Sequence, residues 1–88
     1  MNIDDTLTER GTRYGKFKDQ ARIAESLKAV IYSTTGAVKL DADQKEALDM
    51  ICNKIGRILN GDPSYHDSWH DIGGYAKLVA DRLIGIEK

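Results

Sequence analysis

The sequence predicts an all-α fold, a small bundle of about four helices, on three observations. Apolar residues recur at steps of three and four along most of the chain, the spacing of one helix face. No run alternates apolar and polar residues between hairpin turns, as strands would. Pro63 is the only proline, so the strongest helix breaker acts at a single place. The length, 88 residues, suits one domain spanning residues 1–88. A domain this small buries only about 60% of the surface its unfolded chain exposes. Completion of the bundle by oligomerisation is therefore expected.

The first helix is expected to start near Asp5 or Thr6 and to be interrupted around Gly11 to Gly15. The second runs from about Phe17 to Ser33, with Phe17, Ala21, Ala24, Leu27 and Ile31 as its apolar row and Gly36 as a stop. The third begins at Asp41, a candidate N-cap, with Asp43 in the first turn where the helix dipole favours negative charge. Its buried face is Leu48, Ile51, Ile55, Ile58 and Leu59, and Asn60-Gly61 before Asp62-Pro63 ends it. The fourth starts between Ser64 and Asp67 and runs to about Ile84, on a stripe of Trp69, Ile72, Ala76, Val79 and Leu83. The short link between the third and fourth helices makes them antiparallel neighbours.

Net charge is −1, without the basic excess of a dedicated duplex-DNA binder. The charge is uneven: residues 1–39 carry seven Lys/Arg against five Asp/Glu, and residues 40–88 carry six against nine. The halves could cradle an anion with its metal, or simply pair with each other. Cys52 is the one cysteine, which excludes an intrachain disulfide and reads as a small core residue. No apolar run approaches the ~20 residues of a membrane span. The acidic start, Met-Asn-Ile-Asp-Asp, lacks signal-peptide features, so a cytoplasmic location is expected.

Two constellations carry chemistry. On the third helix Glu46, Asp49, Asn53 and Arg57 share one side, and on the fourth Asp67, Asp71 and Tyr75 do. Carboxylates from facing helices can hold a hard divalent cation, with Mg²⁺ the natural choice beside phosphate. Such an ion would polarise a phosphoryl oxygen and activate water. Lys54 and Arg57 would then neutralise the leaving phosphate. Acids one turn apart are also common on a solvated helix face, and the spacing allows that reading equally. The second constellation is Glu9-Arg10-Gly11-Thr12-Arg13-Tyr14-Gly15-Lys16-Phe17-Lys18, with four basic residues, two aromatics and two glycines. Arg10, Arg13 and Lys16 suit phosphates, and Tyr14 can stack on a base. The alternative is a turn between two helices with its aromatics in the core, and Phe17 is assigned there. Gly56, Gly73 and Gly74 inside helices each cost ~1 kcal/mol relative to Ala, which points to close helix packing. His66 and His70 stand at i,i+4 without a third zinc ligand. Ser68, His70 and Asp71 are too close in sequence on one helix to form a triad.

These residues resemble a family of small phage proteins. The likeness rests on Thr8-Glu9-Arg10-Gly11 with Tyr14-Gly15-Lys16-Phe17, on Glu46-Ala-Leu-Asp49-Met-Ile, on Lys54-Ile-Gly-Arg57-Ile-Leu, and on Trp69-His-Asp71-Ile-Gly-Gly-Tyr75-Ala. More distantly the chain resembles the all-α nucleoside triphosphate pyrophosphatases of the MazG and dimeric dUTPase group. That resemblance implies Mg²⁺-dependent hydrolysis to monophosphate and pyrophosphate in a homo-oligomer, with Glu46 and Asp49 as one metal-binding pair and Asp67 and Asp71 as the other. The chain departs from that pattern in having Asp49 for a glutamate and a four-residue step from Asp67 to Asp71. Two main functions are open. An enzyme would bring Glu46, Asp49 and Asp71 together, within a subunit or across an interface. A binding module would capture a nucleotide, a cyclic oligonucleotide or a host defence protein. It would use Arg10, Arg13, Tyr14, Lys16 and Arg57, and its acids would be salt-bridge partners. A purely structural helical protein has no specific feature in its favour.

Overall fold

A computed structural model describes residues 2–88. It contains four α-helices, α1 (Ile3–Tyr14), α2 (Phe17–Tyr32), α3 (Ala42–Asn60) and α4 (His66–Leu83), with a 3-10 segment at Thr35–Lys39. There is no strand among the described residues. The fold is the small all-α bundle that the spacing predicts. None of these helices is long and apolar enough to cross a membrane.

Local chemistry sets each boundary. Asn2 Oδ1 accepts the Asp5 amide at 2.9 Å, capping α1, and Asp4 and Asp5 sit where the dipole favours acids. The helix passes through Gly11 without interruption and stops at Gly15, whose φ of 75° lies in the left-handed region that glycine tolerates best. The expected break is thus two residues, Gly15 and Lys16, and Gly11 stays within α1. Asp41 begins α3 as expected, with its amide donating to Gln44 Oε1 at 2.8 Å in a capping box. The Asp62-Pro63 step separates α3 from α4.

The layout is a layer with α3 in the middle. Gly56 lies against Gln20 and Ala24 of α2, and a Cβ there would come within 2.9 Å of the Gln20 carbonyl oxygen. Lys54, two residues earlier, bonds Asp71 of α4 at 2.9 Å. Two residues turn a helix by about 200°. Hence α2 and α4 flank α3 on opposite sides, both antiparallel to it, and do not touch each other. The layer has two faces. Glu46, Asn53 and Arg57 occupy the front, and Leu48, Ile51, Ile55 and Leu59 occupy the back.

The core is correspondingly thin. Its buried apolar residues are Ala24, Ala47, Cys52 and Ile58. Several residues assigned to buried stripes are open instead: Phe17 is 77% exposed, Leu59 66%, Trp69 57% and Leu83 57%. An isolated layer cannot enclose both faces of its helices. Gly56 has the close helix contact expected of it, but Gly73 and Gly74 have no neighbour within 4 Å of an added Cβ.

Candidate functional site

The corner between α1 and α2 is built by the end of α3. Asn60 Nδ2 donates to the carbonyls of Tyr14 and Lys16 at 2.8 and 2.9 Å, straddling the Gly15 break. The Asp62 amide donates to the Arg13 carbonyl at 2.7 Å. A Cβ on Gly15 would run into Asn60, and one on Gly61 into the backbone of Arg13 and Tyr14. These glycines let two stretches of main chain meet, which holds the basic, aromatic segment in a fixed shape.

That corner opens into a cavity of about 400 Å³ on the front face. Leu7, Arg10, Gly11 and Tyr14 line it from one side of α1, Gly15 and Lys16 from the corner, Phe17 and Gln20 from α2, and Arg57 from α3. The guanidinium carbon of Arg57 lies 4.8 Å from the Tyr14 ring centroid, within cation–π range. Arg10 reaches the same ring at 6.0 Å. Arg10, Lys16 and Arg57 form no ion pair among the described residues. Arg57 Nε is buried and has no hydrogen-bond partner. A buried donor left unmade costs about 1–3 kcal/mol, more when charged.

Four of the six residues assigned to ligand binding therefore line one cavity: Arg10, Tyr14, Lys16 and Arg57. The other two are placed elsewhere. Arg13 pairs with Glu9 at 2.8 Å and lies over the Tyr65 ring at 4.9 Å. Lys54 is buried between α3 and α4 against Asp71. Leu7, Phe17 and Gln20 also line the cavity, beyond the residues expected there. The row Leu7, Arg10, Gly11 and Tyr14, at steps of three, one and three, was the available signal for Leu7. The spacing of Phe17 fits the α2 stripe and predicts burial. In the structure it lies at the start of α2, where no other helix covers it.

The four carboxylates assigned to metal are not brought together within the chain. Asp49 turns toward α2 and accepts the Tyr32 hydroxyl at 2.8 Å, which raises the tyrosine's pKa. Asp71 is taken by Lys54, whose hydrogen bond holds its carboxyl below the usual range. Asp67 accepts the Tyr65 hydroxyl at 3.1 Å. Glu46 lines a second cavity, of about 470 Å³, with Tyr75, Leu78 and Arg82. Among the described residues no three His, Cys, Asp or Glu side chains are grouped as a metal would need. Helical phase does place Glu46 and Asp49 near one another, but α3 presents Asp49 to α2 while Asp71 belongs to α4. The donor set of one chain does not fit Mg²⁺.

His66 and His70 stack at 5.4 Å on the exposed start of α4. Comparison with curated proteins and with solved structures finds no match. The family comparison covers nearly the whole helical region: residues 4–83 match the model of a domain of unknown function, DUF6378, and the chain belongs to that family.

Proposed function

We propose that this protein is a binding module that captures a nucleotide-type, phosphate-bearing ligand and releases it unchanged. The observation that carries this reading is Arg57, whose Nε is buried without a partner beside Tyr14, in a cavity shared with the unpaired Arg10 and Lys16. Cations with no carboxylate nearby favour an anion, and guanidinium groups bind phosphate with paired donors. The exposed Phe17 ring and the Tyr14 face supply stacking surface for a base. The cavity volume falls in the range of small-ligand sites.

Binding without hydrolysis agrees with the state of the acids. Asp49, Asp67 and Asp71 already accept bonds from Tyr32, Tyr65 and Lys54, and no step here is routed through a metal. The resemblance to small phage proteins supplies the biological reading: sequestration of a nucleotide signal used in host defence. Inhibition of a host defence protein is the other outcome of the test. Calorimetry with nucleoside mono-, di- and triphosphates and with cyclic mono- and oligonucleotides should show saturable binding, with the ligand recovered intact. Pyrophosphate release in the presence of Mg²⁺ would replace this reading with the pyrophosphohydrolase one. Absence of binding to every member of the panel would sink it.

A further inference from the structure

We propose that the back face of the helical layer is the interface with a second copy of this chain, so that the protein is a dimer with a ligand cavity on each outer surface. The back face carries Leu48, Ile55 and Leu59 from α3, flanked by Val30 of α2 and by Ile72 and Leu83 of α4. Helical phase puts these six residues on the side opposite Glu46, Asn53 and Arg57. None of the six carries a charge, and none is buried: Leu48, Ile55 and Ile72 are half-buried, while Val30, Leu59 and Leu83 are 65%, 66% and 57% exposed. An apolar row spread over three helices, bordered by Asp19 of α2, is unusual on a monomer and marks an interaction surface.

The area selects the occupant. The chain exposes 6228 Å². A compact monomer of its mass would expose roughly 5,200 Å². The excess, about 1,000 Å², is close to what each partner of a stable dimer buries, roughly 800 Å² or somewhat more. The Cα radius of gyration, 14.7 Å, is likewise larger than the roughly 12 Å of a compact domain of this length. A second identical layer, two-fold related, gives each apolar face a surface of the same size and chemistry. The result is the two-layer helical architecture that a single copy lacks. This interface stands on a different face from the ligand cavity, so it can fail or hold independently of the ligand reading.

Sedimentation equilibrium of the full chain should give twice the 9.8 kDa chain mass at micromolar concentration. Leu59→Asp places a carboxylate within the face and should weaken association roughly 30-fold or more, as for an interface hot spot. Leu59 is already 66% exposed, so the helix itself tolerates the change. Phe17→Asp, on the opposite face, should leave the mass unchanged. Trp69, the sole tryptophan, sits at the rim of the back face and gives a readout that needs no variant. Its emission should shift to the red on dilution through the dissociation constant. A particle of one chain mass at all concentrations would overturn the proposal. An assembly that survives Leu59→Asp but separates with Phe17→Asp would overturn it as well.

Discussion

The α1–α2 corner and the α3–α4 seam are both rich in charge, but they use it in opposite ways. Across the seam Lys54 pairs with Asp71 and Arg82 with Asp41 and Asp43, while within α4 and the tail that follows it Lys77 and Lys88 pair with Asp81. At the corner, Arg10, Lys16 and Arg57 line one cavity, Arg10 and Arg57 over the Tyr14 ring, with no anion among the lining residues. The seam's pairs are complete within the fold. The corner's cations have no anion among the residues that line the cavity, and the ligand proposed above would supply one. Unpaired charge, rather than abundant charge, separates a site from a scaffold.

The largest effect should come from breaking the corner itself. Gly15→Val puts a branched side chain at φ 75° and against Asn60. We expect a loss of about 2–4 kcal/mol. Thermal unfolding should show a fall of at least 10 °C by the usual scaling, together with loss of ligand binding. An unchanged melting temperature would mean that the corner is not braced as described.

A pair of substitutions then sharpens the contrast between the regions. Arg57→Ala removes an unmade buried donor, so stability should hold or rise while nucleotide affinity falls about 10- to 100-fold. Lys54→Ala removes one partner of a seam pair and should do the reverse, lowering the melting temperature by about 5–10 °C with affinity preserved. Calorimetric titration and melting on both variants measure the two effects separately. If Lys54→Ala abolishes binding, the two regions are not independent.

Acid should weaken the seam before the corner. Asp43, Asp71 and Asp81 are held below their ordinary value of 3.8, chiefly by hydrogen bonds from Arg82, Lys54 and Lys88. A carboxyl depressed in the folded state stabilises fully above its unfolded pKa, and that stabilisation is lost as pH falls through the folded one. Melting temperature should be level from neutrality to about pH 5 and fall below about pH 4. In Asp71→Asn the fall should be shallower. A fall that begins above pH 6 would point away from these pairs.

The smallest effect tests the open helix. Gly73 and Gly74 meet nothing within 4 Å, so each change to alanine should stabilise α4 by about 0.5–1 kcal/mol. Destabilisation by either would reveal a neighbour that the isolated chain lacks.

Much of this fold was legible in the residues, because local signals act over a few positions. Asp41 as a cap, Asn60-Gly61 as a stop, the Pro63 link and the three-four periodicity place α3 and α4 almost to their ends. Of the cavity-lining residues, Arg10, Tyr14 and Lys16 were legible as part of a basic, aromatic and glycine-bearing segment, and Arg57 as part of the polar side of α3. Tertiary structure decided what helical phase alone leaves open, namely which neighbour each side of a helix meets. Phase puts Glu46 and Asp49 on one side of α3 but does not say that Asp49 faces α2. It makes Lys54 a phosphate ligand as readily as a partner for Asp71. It marks Phe17, Leu59 and Trp69 as apolar-stripe residues without saying that a three-helix layer has too little depth to bury them. The physical reason is range: capping and periodicity are set within a turn or two of helix, whereas burial and charge pairing depend on what packs across the gap.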